Sequence, residues 1–413
     1  MERNWIHNFT LIWSGQLISL ISSSAVNFAV IIWLSLETRS AEVLAYAAIA
    51  GLLPQAVLGF IAGVYVDRWN KKKTMIISDL VVSAFTLLLA GALFLGDPNL
   101  ILIYCALGLR SAGSAFHMPA MQATIPVLAP RDKLVRIAGI NQLLQSITVI
   151  ASPALGALLI GSFKIEYVLL FDVAGAVIAI TALLFVKIPQ RDRVLQENDD
   201  KSGAIKSFVS DFRIGITAVK KIKGLSSLFA VSLGAAFFMI PIGPLLPLMT
   251  LEHFAGGKYE ISLVEIVWGV GMLLGSLMVT VFKPRKNKIV GINLCNLSAG
   301  ILLFGAGLLS GSYFAVFVIF MGICGITYSI ESSLFNTLLQ EHVDEHALGR
   351  VYSIYYSIIV LPSVLGLLLT GNLSGWLGIN EIFMALGLLV VLIGGVSFFI
   401  PALMNLENQE IKH

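Results

Sequence analysis

Six ionisable side chains stand inside long apolar stretches of this sequence: Asp79, Arg110, His117, Asp172, Glu265 and Glu331. Arg110 lies about eleven residues into its stretch, near the middle of any helix built from it. An arginine at that depth of a bilayer costs at least about 2.5–3.5 kcal/mol on insertion scales, so it must face protein and carry a partner. Two chemistries fit. A fixed ion pair would brace neighbouring helices. Alternatively, the arginine favours the ionised form of a carboxylate, so that protonating the acid and breaking the pair become one event, coupled to ligand binding. The possible acids are Asp172, Glu265, Glu331 and Asp79. Histidine is the residue type suited to proton carriage near neutral pH, which makes His117 a candidate, although a lone helical histidine also serves as a hydrogen-bonded packing residue.

Long helices must hold these groups in place. The chain has 413 residues, 57% hydrophobic and 12% charged, whereas a soluble domain carries about 25% charged residues. A spanning helix needs about 20 apolar residues. Apolar runs fall near 9–36, 41–66, 74–96, 99–122, 137–162 and 166–188, and again near 224–251, 259–282, 289–310, 313–336, 349–371 and 379–403. The expected fold class is therefore an all-α membrane protein with twelve transmembrane helices in two pseudo-symmetric six-helix bundles. Its parts would be residues 1–188, a cytoplasmic linker 189–223 with an amphipathic helix, and residues 224–413. The linker helix is read from Ile205, Phe208, Val209, Phe212, Ile216 and Val219 at helical spacing. A soluble enzyme, a secreted disulfide scaffold and a disordered regulator are excluded.

Orientation follows from the basic residues, which are retained on the cytoplasmic side. With both termini inside, all but four of the 27 lysines and arginines fall in cytoplasmic segments. The exceptions are Arg39, Lys164, Lys258 and the intrahelical Arg110. The first apolar run, Phe9 to Leu36, is too long for a cleaved signal and reads as a retained helix. Cys105, Cys295 and Cys324 fall in apolar stretches without metal spacing and are expected to pack in the interior. A shift of 210 residues superposes Gly139 on Gly349, Gly156 on Gly366 and Gly161 on Gly371, as parallel six-helix repeats would.

Between the second and third runs, Gly63, Asp67, Arg68, Lys71 and Lys72 stand in the spacing Gly-x-x-x-Asp-Arg-x-x-Lys-Lys. This resembles the cytoplasmic signature of the major facilitator superfamily. The stretch from Arg110 through Gly113, Ala115, Phe116 and His117 to Pro119 resembles the superfamily's drug:proton antiporter branch, which includes macrolide efflux proteins. So do Asp79-Leu80, Ser152-Pro153-Ala154 and Phe171-Asp172-Val-x-Gly175. The resemblance implies a conformational latch at Gly63, Asp67, Arg68, Lys72 and Asp79, and a part for Arg110 in proton coupling. In that fold the tenth helix lines the cavity, which makes Glu331 the first candidate for the coupled carboxylate, Asp172 the second and Glu265 a further one.

Substrate-binding residues are sought among aromatic and amide side chains on cavity-type helices: Asn27, Phe28, Asn141, Gln142, Gln145, Phe237, Phe238, Met239, Tyr328, Tyr352, Tyr355 and Tyr356. An apolar cleft with a few polar groups suits bulky amphiphiles. Pro241, Pro244 and Pro247 should break the seventh helix where it lines a cavity. The sequence carries no phosphate-binding Gly-x-x-x-x-Gly-Lys-Ser/Thr, no metal spacing and no nucleophilic triad, so no cofactor and no enzymatic activity are expected. The expectation is a monomeric bacterial inner-membrane pump that exchanges protons for small hydrophobic or cationic drugs such as macrolides, with the lipid bilayer as partner and no nucleic acid. The alternative is an exporter of an endogenous amphiphile, such as a siderophore or lysophospholipid.

Overall fold

A segment apolar on every face has no water to satisfy its peptide groups once in lipid, so it must bond them internally as helix. The computed structural model describes residues 2–96, 99–128, 134–186, 188, 216–217, 219–282, 288–343 and 345–408, some helical side chains excepted. The helices are α1 (Glu2–Thr38), α2 (Ala41–Arg68), α3 (Lys71–Leu95), α4 (Leu100–Leu128), α5 (Leu134–Ser162) and α6 (Ile165–Phe185). After the linker come α7 (Leu225–Met239), α8 (Ile242–Leu248), α9 (Lys258–Phe282), α10 (Lys288–Leu308), α11 (Phe314–His342), α12 (Glu345–Leu373), α13 (Ile379–Ser397) and the short α14 (Pro401–Met404). Among the described residues, ten stretches are long and apolar enough to span a membrane, and Ala151–Ser162 in α5 and Ile358–Leu373 in α12 add two shorter apolar ones. The all-helical, twelve-span membrane architecture is thereby met. Leu95, Phe185, Phe282 and Phe399 lie largely exposed, which suits hydrocarbon and not water.

The seventh span is broken where its prolines predict. It runs as α7, then α8 starting after Pro241, then a π-helical turn over Met249–His253. The structure differs on one cysteine: Cys295 and Cys324 are buried, but Cys105 is exposed. A membrane helix has an apolar outer face as well as an apolar inner one, so an apolar setting in sequence does not distinguish core from lipid contact.

Contacts divide the chain into Met1–Thr38 with Tyr46–Glu197, and Arg39–Ala45 with Asn198–His413. In the first unit α1 packs on α5 and α6, and α3 on α4 and α6; in the second α7 packs on α12 and α13, and α10 on α11 and α13. The same scheme in both is the internal symmetry. The glycine repeat has its physical basis here. A Cβ at Gly156 of α5 would fall 2.7 Å from the Ala25 carbonyl of α1, and one at Gly366 of α12 would strike the Phe237 carbonyl of α7. Each lets the fifth helix of its unit touch the backbone of the first. Two clusters close the units at one end: Phe9, Trp13, Met75, Met121 and Leu183 in the first, and Leu228, Phe335, Leu338, Leu403 and Leu406 in the second.

Candidate functional site

Asp172 is the point on which four helices of the first unit converge. Its Oδ2 lies 2.8 Å from Nη2 of Arg110 on α4 and accepts a hydrogen bond of 2.8 Å from the Thr86 hydroxyl of α3. Its Oδ1 accepts from the Ser23 hydroxyl of α1. Only 5% of the Arg110 side chain and 1% of the Asp172 side chain are exposed. Arg110 Nη1 is also buried and has no hydrogen-bond partner among the described residues.

Small residues bring these helices together. One turn beyond Asp172, a Cβ at Gly175 would collide with the Ser22 hydroxyl, so α1 can press onto α6 only because position 175 is glycine. One turn beyond Arg110, a Cβ at Gly113 would sit 3.1 Å from both Val81 and Val82, so α3 approaches α4 there. Next to Arg110, the Ser111 hydroxyl inserts into the α2 ladder beside Pro54: it accepts from the Gln55 N–H at 3.0 Å and donates to the Gly51 carbonyl at 2.6 Å. A side chain thus replaces a helical hydrogen bond at a proline break and locks α4 against α2.

Nearer the other end of the same seam, His117 Nε2 of α4 lies 3.3 Å from Asp79 Oδ1 of α3, both side chains 9% exposed. Asp79, which the family resemblance implies as a latch residue, lies against His117. Lys72 donates to the carbonyls of Leu184 at 3.2 Å and Val186 at 2.8 Å, capping the end of α6, where unsatisfied carbonyls favour a cation. Gly63 lies on α2, while its surroundings and the side chains of Asp67, Arg68, Asn141, Gln142, Gln145, Tyr352 and Tyr356 lie outside what is described, as does most of the linker 189–223.

Glu331 and Glu265 belong to the second unit, on α11 and α9, and neither has an ion pair among the described residues. Of the acids weighed for Arg110, the structure pairs it with Asp172, ranked below Glu331 in sequence. Near Glu331 the Ser329 and Ser276 hydroxyls are 2.7 Å apart, across a seam that Gly271, Gly275 and Gly325 make close. One turn from Glu265, the buried Trp268 Nε1 has no hydrogen-bond partner among the described residues, and its ring meets that of the half-exposed Tyr328 edge-on at 6.4 Å.

Among the aromatic candidates, Phe237 and Phe238 stand edge to face at 4.8 Å and line an apolar recess with Gly366, Leu369, Thr370 and Leu386. Met239 is half-buried beside them, Phe28 packs where Gly156 gives it room, and Asn27 is exposed. Tyr355 packs instead into the core, with ring centroids 5.3 Å from Phe229 and 4.5 Å from Phe335. Ser23 and Thr86 were not singled out in sequence. Their signal is faint, because most helical serines and threonines bond their own backbone, as Thr86 also does to the Val82 carbonyl at 2.9 Å.

Comparison with known proteins bears on the family and the fold. The family model described as Major Facilitator Superfamily matches residues 12–367. Macrolide efflux protein A of Streptococcus pyogenes is 35% identical over 99% of this chain and 99% of that protein. Macrolide efflux protein A of Enterococcus faecalis is 36% identical over 77% of this chain and 96% of its own length. Among solved structures, an inward-facing bacterial homologue of the human lysosomal transporter Spinster superposes with a TM-score of 0.74 at 14% identity, covering 98% of this chain and 99% of that one.

Proposed function

Because the chain belongs to the Major Facilitator Superfamily of transporters, we propose that it exports bulky hydrophobic or cationic drugs, macrolides among them, in exchange for protons across the bacterial inner membrane. The observation that carries the proton part is the Arg110–Asp172 pair. In the ionised state Asp172 draws α1, α3, α4 and α6 together through three charge-assisted contacts. A proton on Asp172 cancels its charge, replaces an acceptor by a donor and leaves the buried guanidinium without a counter-ion, which favours a different helix arrangement. Alternating access needs such a two-state element. The likeness to macrolide efflux proteins, one of them over 99% of this chain and another over 77% of it, supports the substrate class. Phe237 and Phe238 offer apolar surface for such a molecule, and Glu331 and Glu265 offer negative charge to a cationic one.

The remaining assignments follow the same reading. Both termini face the cytoplasm, as the basic residues direct. Gly63, Asp67, Arg68 and Lys72 form the cytoplasmic latch, and the protein works as a monomer. One proton moving down 100 mV is worth about 2.3 kcal/mol, enough for a roughly fortyfold drug gradient at full coupling. The test uses everted vesicles containing the purified protein. An imposed pH gradient, acid inside, should drive uptake of erythromycin or ethidium, and Asp172→Asn should abolish the gradient-driven part. Uptake indifferent to the gradient, or a variant with wild-type gradient dependence, would refute the assignment.

A further inference from the structure

Three helices of the first unit each present two polar residues two turns apart. On α1 they are Gln16 and Ser23, on α3 Asp79 and Thr86, on α4 His117 and Arg110. Two turns of helix rise about 10 Å. The second member of each couple touches Asp172. The first members therefore form another layer about 10 Å along the helices, and two of them, Asp79 and His117, are in contact at 3.3 Å. Antiparallel α3 and α4 keep one register through both layers.

This layer is less satisfied than its neighbour, where only Arg110 Nη1 is buried without a partner among the described residues. Gln16 is fully buried, and among the described residues neither its amide nitrogen nor its oxygen has a hydrogen-bond partner; Asp79 Oδ2 lacks one there as well. Between the layers, on the same face of α3 as Asp79 and Thr86, the buried Ser83 hydroxyl is also without a partner among the described residues. Buried polar atoms left in this way cost about 1–3 kcal/mol each, and a run of them along one seam is the lining that a hydrogen-bonded file requires. The groups with ionic contacts here are Asp79 from α3, Arg110 from α4 and Asp172 from α6. Lys72, at the foot of α3, is turned to the α6 carbonyls. From α1 come only the neutral Gln16, Ser19 and Ser23, and the side chains of Asp67, Arg68 and Arg136 on α2 and α5 lie outside the described residues.

We infer that His117 and Asp79, reached through Ser83, form a second proton station that passes the coupled proton between Asp172 and the cytoplasm. The inference rests on the proton-coupled reading of Asp172. The O–H bond of protonated Asp172 breaks and its carboxylate returns to Arg110. Water entering between the layers takes this proton and hands it to the Ser83 hydroxyl, which releases its own proton to the next water and ends neutral, as does each water of the file. An N–H bond forms on His117, whose imidazolium is held by the Asp79 carboxylate, and this proton then leaves to cytoplasmic water. Histidine suits the post because its charge changes near neutral pH, and Asp79 offsets that charge inside the bundle.

The test compares Ser83→Ala, His117→Gln and Asp79→Asn with Asp172→Asn in proteoliposomes, using erythromycin and ethidium as probes. Two rates are read: uptake driven by a pH gradient, and exchange of labelled for unlabelled probe without a gradient. The relay variants should slow driven uptake by at least about tenfold, since a positioned proton carrier contributes that much or more, while exchange changes by less than about twofold. Exchange also reports folding, and Ser83→Ala removes one oxygen atom only. If Asp172→Asn abolishes driven uptake while all three relay variants keep it, the relay is overturned and the functional reading stands. If wild-type protein moves neither probe, or Asp172→Asn keeps driven uptake, the functional reading falls and the relay with it. A loss in His117→Gln and Asp79→Asn with normal uptake in Ser83→Ala overturns the route through Ser83.

Discussion

Replacing one member of the Arg110–Asp172 pair should cost more than replacing both. In Asp172→Asn the guanidinium stays where only 5% of its side chain is exposed, its Nη1 already unpartnered, and loses its counter-charge. Breaking a buried pair from one side in this way costs about 3–5 kcal/mol, or between two and four orders of magnitude in the folded population. Arg110→Met is milder. The acid keeps the hydroxyls of Ser23 and Thr86 and can take up a proton, so a loss of about 1–3 kcal/mol is expected. In the double variant Arg110→Met/Asp172→Asn, a neutral amide faces those hydroxyls and an apolar chain fills the arginine's path, so most of the stability returns. Denaturant unfolding of the purified proteins in one detergent measures all four corners of the cycle. Losses that simply add in the double variant would refute the reasoning, because they would mean that the two charges do not depend on each other. The double variant should also regain its fold without regaining gradient-driven uptake, which separates bracing from coupling.

Glu331→Gln should weaken binding of a cationic probe such as ethidium by about tenfold, the worth of one modest charge contact, and leave a neutral probe unaffected in equilibrium binding. Gly300→Val, at a site where even a Cβ would lie 2.6 Å from the Val391 nitrogen and 2.8 Å from the Gly387 carbonyl, should force α10 off α13 and lower the melting temperature. The overpacking cost is at least about 1–3 kcal/mol. Glu407→Gln should cost about 1 kcal/mol in the same melt, because that carboxylate accepts the Lys288 and Ile289 N–H groups at 3.0 and 3.3 Å, at the N-terminus of α10. Lys72→Ala should loosen the end of α6, seen as faster amide exchange at the peptides around Leu184 and Val186, whose carbonyls it holds.

Much of this molecule could be read without coordinates. Mean composition demanded lipid as the solvent, the apolar runs set the number of helices, and the prolines of the seventh span marked its break. Repeated glycines pointed to the internal symmetry. Each follows from rules that act along one chain segment: the thickness of hydrocarbon, the missing proline N–H, the absent glycine Cβ. The arginine in α4 was also legible as a residue that must have a partner. Which acid answers it was not. Asp172, Glu265 and Glu331 all sit in stretches apolar enough to span a membrane, and periodicity assigns a side chain to a face without saying what that face meets. The choice fell to how helices cross, through Gly175 against Ser22 and Gly113 against Val81 and Val82. The same crossings drew in Ser23 and Thr86 and turned Asp79 toward His117. Depth in the bilayer is a property of sequence position, whereas an ion pair is a property of two surfaces in contact, and only the packed bundle brings such surfaces together.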